Sequence, residues 1–355
     1  MCRGALSICV AAIVVFFCQI MASGVSARQQ IEASRVQQLR DLRFGMFICW
    51  SFSTFSDKEW TPGIKDLSFF NPSGFDPDQW IRTAKEAEMK YILLLTKHHD
   101  GFCLWDTKTT DRKVTRSPLG RDVVQEVRQG CDRYGLRLAL YFSEGDWTFP
   151  GAIDGQSRKG GSNPEMKKAQ LSELLSGYGP IEFIWFDHAV GDGGLSHDET
   201  THFVKSMQPA CFVGYNSGAP GGDLRLGEMG HASSLDDLSG SGFNRGYVKG
   251  YGGYLAGEFT YPILGGNTAG TPQYGRWFYT RPEWDAIVTP AAKIYGDYLG
   301  AIRTGNLFSL DVAPTRTGVL RDIDVTTLRE VGRYIRGERK LPINADQGRA
   351  EARPW

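Results

Sequence analysis

The alternation of element types along the chain predicts an α/β fold, a (β/α)8 TIM-like barrel with an irregular region near strands 6 and 7. Short, continuous apolar runs that read as buried strands alternate with longer amphipathic runs that read as helices, the pattern of a parallel sheet covered by helices. Six clear strands spread over about 270 residues, near the size of one such barrel. Polar residues gather directly after the strand runs, where barrel enzymes place their chemistry. A doubly wound open sheet also satisfies the alternation; the chain length and the strand-end clusters favour the barrel.

The strand runs are Phe44–Trp50, Tyr91–Thr96, Leu136–Phe142, Ile181–Phe186, Cys211–Tyr215 and Leu307–Val312, rich in β-branched, aromatic and aliphatic residues. Asp76–Glu88 opens on Asp-Pro and sets Trp80, Ala84 and Ala87 on one helical face. Asp122–Tyr134, Pro164–Ser176 and His197–Met207 follow, and Val325–Ile335 places Leu328, Val331 and Ile335 in register. Gly218–Arg276 is rich in Gly, Ser and Tyr and predicts long loops, with one or two short strands around Leu255–Tyr261. No linker, composition shift or internal repeat marks a second domain. Residues 28–355 therefore read as a single barrel domain, with no C-terminal β-sandwich. No Gly-x-Gly-x-x-Gly leads a strand into a helix and there is no Walker loop, which leaves a nucleotide site without support.

The first 27 residues read as a targeting segment. Arg3 supplies a positive start, Ile8–Cys18 is an unbroken apolar run, and Val25-Ser26-Ala27 is a small-residue cleavage pattern. The run is short of the roughly 20 apolar residues of a membrane span, so the expectation is a cleaved signal peptide, a secreted or periplasmic product and no membrane span after cleavage. A retained N-terminal anchor is the alternative. Lys+Arg and Asp+Glu both number 40, so charge makes no case for nucleic acid or an acidic membrane surface. Aromatic residues reach 12% with nine Trp, and Gly numbers 43, a composition suited either to sugar stacking on glycine-rich loops or to an aromatic core. Beyond the leader, Cys49, Cys103, Cys131 and Cys211 are widely spaced without any Cys-x-x-Cys, neither a disulfide framework nor a zinc cluster.

Three strand-end groups carry candidate chemistry. Ile184-Trp185-Phe186-Asp187 ends an apolar strand on a carboxylate, which in a barrel points into the site and can attack an electrophilic carbon; its other reading is a cap for the next loop. His98-His99-Asp100 follows another strand and suits hydrogen bonding to substrate hydroxyls, metal ligation or a structural pair. Metal ligation asks for further ligands, and His188, His197, His202 and His231 lack ligand spacing, so neither metal nor cofactor is expected. Glu59-Trp60 pairs an acceptor with a stacking surface in the loop after the first strand. No Gly-x-Ser-x-Gly elbow is present, which removes the usual serine-nucleophile reading.

Taken together, several segments resemble the α-L-fucosidases of glycoside hydrolase family 29. These are Thr96-Lys97-His98-His99-Asp100-Gly101-Phe102-Cys103-Leu104-Trp105-Asp106, Arg43-Phe44-Gly45-Met46-Phe47, Glu59-Trp60, Gly135-Leu136 through Tyr141-Phe142-Ser143, Trp185-Phe186-Asp187, and Gly305-Asn306-Leu307 through Val312-Ala313-Pro314. They run in order over roughly residues 40–337. The resemblance implies an exo-acting, retaining hydrolase of terminal α-L-fucosides, with a fucosylated glycan or glycoconjugate as substrate. It assigns Asp187 as nucleophile and Glu59, Trp60, His98, His99, Tyr141 and Trp185 as substrate-binding residues. Gly222-Asp223-Leu224-Arg225-Leu226-Gly227-Glu228 resembles the segment whose final Glu protonates the leaving group, which makes Glu228 the acid/base; Glu258 is the alternative. A retaining pair works with its carboxyls about 5–5.5 Å apart, one ionised and one protonated.

The chain departs from the family in three places. Cys49-Trp50-Ser51 stands where the family has His-Trp-Gly, so an imidazole contact is lost or replaced. Gly218 stands where an Arg is common, and a β-sandwich that often follows the barrel is not expected. A barrel glycosidase of shifted specificity and a catalytically silent carbohydrate-binding barrel are the remaining readings. Oligomeric state is left open.

Overall fold

A computed structural model describes residues 34–341, apart from 36, 57, 62–63, 148–162, 188–193, 217–221, 229–255, 266–275 and 304. The leader expected over residues 1–27 lies outside the described residues. Eight parallel strands close into a barrel in sequence order, β1 (Phe44–Ile48), β2 (Tyr91–Lys97), β3 (Arg137–Ser143), β4 (Phe183–Asp187), β5 (Phe212–Tyr215), β6 (Leu224–Glu228), β7 (Ala256–Pro262) and β8 (Leu307–Asp311). The last strand returns to the first, with Gly45 opposite Ser309 and Phe47 opposite Asp311. Apolar residues fill both faces of the strands, since one face meets the lumen and the other the helices.

A short α1 (Phe52–Ser56) lies in the loop after β1, and the outer layer comprises α2 (Pro77–Glu86), α3 (Val123–Tyr134), α4 (Pro164–Gly177), α5 (His197–Met207), α6 (Ala291–Arg303) and α7 (Asp322–Ile335). Their starts are written in the sequence. Asp76 caps α2 by accepting from the Gln79 amide at 3.1 Å, with Pro77 at the first helical position. Asp122 does the same for α3, and Ser196 and Glu199 form a capping box on α5. Trp80, Ala84 and Ala87 are all buried, and Leu328 and Val331 pack inward from α7. At Gly130 of α3 a side chain would drive into Ile81 of α2, so the glycine sets the close approach of those two helices.

Two elements differ from expectation. The Gly218–Arg276 region contains β6 as well as β7, and β6 is a run of alternating Leu and polar or small residues. Only pairing with β5 and β7 makes it a strand: Leu224 sits opposite Gly214, and Leu226 opposite Glu258. Helix α6 follows Thr289-Pro290 and buries Ile294, Tyr298 and Ala301 at helical spacing. All four described cysteines are free and buried. Among the described residues no helix is long and apolar enough to cross a membrane.

Candidate active site

A cavity opens at the C-terminal end of the barrel, lined by Phe47, Cys49, Glu59, Trp60, Leu95, His98, His99, Tyr141, Trp185, Asp187, Trp277 and Phe278. Strand alternation explains the lining. Phe47, Leu95, Tyr141, Trp185 and Asp187 occupy lumen positions on β1 to β4, and Tyr141 sits beside Trp185 in the β3–β4 ladder.

Asp187 is the last residue of β4, and both its oxygens are held. The Tyr141 hydroxyl donates to Oδ2 at 2.6 Å and the Asn216 amide to Oδ1 at 2.8 Å. The carboxylate side chain keeps 15% of its surface exposed, on the cavity side. His99 brings Nε2 to 3.5 Å from Oδ2. Its other nitrogen, Nδ1, lies 2.7 Å from the Ser143 hydroxyl, which itself donates to the Gly145 carbonyl at 2.8 Å. Since that hydroxyl has one proton, Nδ1 of His99 must be the donor in this pair. Trp147 closes the back of the imidazole, 5.0 Å between centroids, and its amide donates to the His99 carbonyl at 2.8 Å.

The histidines reach the cavity because β2 carries a bulge between Leu95 and Lys97. An extra residue in one strand bends it and re-aims the side chains beyond the bend. The Thr96 hydroxyl anchors the bulge on the Tyr141 carbonyl at 2.6 Å. Asp100, next in line, is fully buried and points away from the cavity lining. It accepts from the Phe102 amide at 2.8 Å and the Thr61 hydroxyl at 3.1 Å. Burial pushes its carboxyl up to about 6, against the pull of the Arg112 guanidinium. Asp100 thus ties the β2 loop to the β1 loop that carries Glu59 and Trp60, where Ser53 donates to the Glu59 carbonyl at 2.7 Å.

Cys49 lies just past β1 in the cavity wall, beside the buried carboxyl that ends β8, Asp311. Burial first, and then the Asp311 and Glu59 carboxyls, push the thiol well above its ordinary range. Burial likewise pushes Asp311 well up, toward the neutral acid. This corner of the site therefore offers a neutral thiol where the resemblance leads one to expect an imidazole.

The two acid/base candidates occupy different levels. Glu228 is the last residue of β6, opposite Thr260, at the same strand end as Asp187; its side chain falls outside the described residues. Glu258 is the third residue of β7, fully buried, and accepts from the Trp185 indole at 3.0 Å without lining the cavity. Gly218 and His188 lie outside the described residues. Asn216, Trp277 and Phe278 were not singled out as binding residues by the motifs. Asn216 had a signal, as the polar residue after the fifth strand; Trp277 and Phe278 belong to no motif, and only the fold brings them to the cavity.

Fold and site together define a (β/α)8 barrel with a carboxylate, two imidazoles and an aromatic wall at its C-terminal mouth. The sequence profile of the α-L-fucosidase family matches residues 64–218. The chain is 30% identical over 307 residues to α-L-fucosidase 1 of Arabidopsis thaliana, covering 80% of this chain and 56% of that protein. It is 32% identical over 294 residues to the plasma α-L-fucosidase of Rattus norvegicus, covering 80% and 60%. Among solved structures, α-L-fucosidase isoenzyme 1 from Paenibacillus thiaminolyticus superposes with a TM-score of 0.66 at 25% identity, covering 86% of this chain and 76% of that one. A glycoside hydrolase 29 family member from a rumen bacterium gives 0.66 at 26% identity, covering 83% and 55%. The profile, the curated relatives and the solved structures thus agree with the resemblance carried by the motifs, to the α-L-fucosidases of glycoside hydrolase family 29. The chain spans a little over half the length of the two curated relatives.

Proposed function

We propose that this protein is an exo-acting, retaining α-L-fucosidase that hydrolyses terminal α-L-fucosides of glycans or glycoconjugates. The observation that carries the reading is the setting of Asp187: one carboxylate, fixed by a donor on each oxygen, in the wall of a cavity lined by aromatic rings. A nucleophile must be aimed as well as present, since well-oriented attack accounts for much of the barrier reduction.

In this reading the anomeric carbon of the sugar sits above Asp187. A carboxylate oxygen forms the C1–O bond as the glycosidic C–O bond breaks, and Glu228 gives its proton to the departing oxygen. Water then attacks C1, with Glu228 taking the proton back and Asp187 leaving as carboxylate. Glu258 is the alternative acid/base. Trp60, Trp185 and Tyr141 supply faces for the apolar side of the ring, and His98, His99 and Glu59 supply hydroxyl partners. Cys49 favours a second form of the same reading, a neighbouring 6-deoxy or galacto-configured specificity, because a neutral thiol replaces one imidazole contact. The leader pattern supports export.

Release of nitrophenol from an aryl α-L-fucoside tests the activity. Asp187→Gly should abolish it, with azide restoring turnover and yielding the β-configured azide. A 2-fluoro-fucosyl label carried by any residue other than Asp187 ends the proposal, as does ligand-induced stabilisation without turnover.

A further inference from the structure

The wall that holds Asp187 continues down into the barrel. Trp185 lies two residues earlier on the same face of β4 and stacks on Tyr141, with centroids 5.3 Å apart and planes 20° from parallel. Its indole N–H crosses the lumen from β4 to β7 and donates to Glu258 Oε2 at 3.0 Å. Glu258 sits a layer below the rim, paired with Leu226 and Leu307, and its side chain is fully buried. Nearby, Tyr91 of β2 bonds its hydroxyl to Ser309 at 2.7 Å, and burial together with the Glu258 carboxyl pushes its phenol well up.

A carboxyl in the middle of a barrel lumen is costly to bury and needs a partner. One partner here is the Trp185 indole, whose ring lines the cavity. An indole held only by stacking can tilt about its side-chain torsions; one with a tethered N–H cannot. Any tilt of Trp185 passes to Tyr141 through their stacked faces, and Tyr141 donates to Asp187 at 2.6 Å.

We propose that Glu258 is a positioning residue, which locks the plane of Trp185 and through Tyr141 aims Asp187, and exchanges no proton with substrate. This inference rests on Asp187 being the nucleophile, and it leaves acid/base work to Glu228. Chemistry that depends on aim is sensitive to it: a displacement of about 1 Å can cost on the order of 100-fold in rate.

Three variants, Glu258→Gln, Glu258→Ala and Trp185→Phe, separate the roles. Gln keeps a carbonyl oxygen for the indole, so its kcat should stay within about 3-fold of wild type. Ala and Trp185→Phe should each lower kcat roughly 10- to 100-fold, equally for good and poor leaving groups, without rescue by azide and without change in the pH profile. The indole 15N resonance of Trp185, assigned by its loss in Trp185→Phe, should shift and exchange faster in Glu258→Ala but not in Glu258→Gln. If Glu258→Gln loses turnover mainly on poor leaving groups and azide speeds its turnover of good ones, Glu258 is the acid/base and the proposal is overturned. If the indole resonance ignores Glu258→Ala, the tether is absent and the proposal also fails. The resonance is read without turnover, so failure of Asp187 as nucleophile is distinguishable: labelling would move off Asp187 while the indole still answered to Glu258.

Discussion

The hydroxyl of Tyr141 donates to Oδ2 of Asp187 from the adjacent strand, at 2.6 Å, and both residues face the lumen at the barrel mouth. Hydrogen bonds to a charged group contribute about 1.5–3 kcal/mol. Tyr141→Phe should therefore lower kcat/KM roughly 10- to 100-fold while retaining the ring stacked on Trp185. On the proposed role of Asp187 as nucleophile, the loss should fall on kcat more than on KM. Steady-state kinetics on an aryl α-L-fucoside measure it; an unchanged kcat with a raised KM would assign Tyr141 to sugar binding alone.

Asp100 makes stability depend on pH. Its carboxyl stands at about 6 in the fold against an ordinary 3.8, so the native state prefers the protonated acid. That preference contributes fully below about pH 4 and is lost as pH rises through 6, on a scale of roughly 3 kcal/mol at most. Asp100→Asn, which cannot ionise, should gain on wild type between pH 4.5 and 7.5 in urea unfolding. Parallel curves for the two proteins across that range would contradict the assignment.

Behind the β3 loop, the Lys167 ammonium pairs with the Glu144 carboxylate and donates to Thr200 at 2.7 Å, all three side chains buried. Removing one member of a buried pair strands the other's charge, typically at a cost of about 3–5 kcal/mol. Lys167→Met should destabilise on that scale. The double variant Glu144→Gln/Lys167→Met should recover part of the loss, because no lone charge remains. Additive losses in chemical denaturation would show that the pair acts independently.

Gly45 on β1 faces the Tyr91 ring, and a methyl built there would stand 2.3 Å from it. Tyr91 is pinned by its bond to Ser309, so it has little freedom to yield. Gly45→Ala should destabilise the barrel by about 1–3 kcal/mol through overpacking. The paired variant Gly45→Ala/Tyr91→Phe, with the ring released, should be less destabilised than the sum of the singles. Thermal melts of the four proteins decide it.

Most of the barrel is legible in the chain because most of its strands are continuous apolar runs and α2 to α5 open on Asp, Asn or Ser caps. The strand ending in Trp185-Phe186-Asp187 and the run His98-His99-Asp100 announce themselves by position, as polar residues directly after buried strands. Strand β6 is not legible, since Leu-Arg-Leu-Gly-Glu is too short and too polar to declare itself before its neighbours pair with it. Asp100 shows the limit at the site: the motif puts it beside two cavity histidines, yet the bulge in β2 turns it inward to tie two loops.

Local chemistry in the sequence, periodicity and capping above all, determined the order of elements, the barrel, and the strand ends that carry Asp187, His98 and His99. Tertiary structure alone decided which of those side chains meet. Tyr141 reaches Asp187 across one ladder, Asn216 reaches it from the next, and Trp185 spans the lumen to Glu258, 73 positions away along the chain. Contacts of that kind depend on barrel closure and strand register, which are properties of the whole sheet and leave no mark in any single segment.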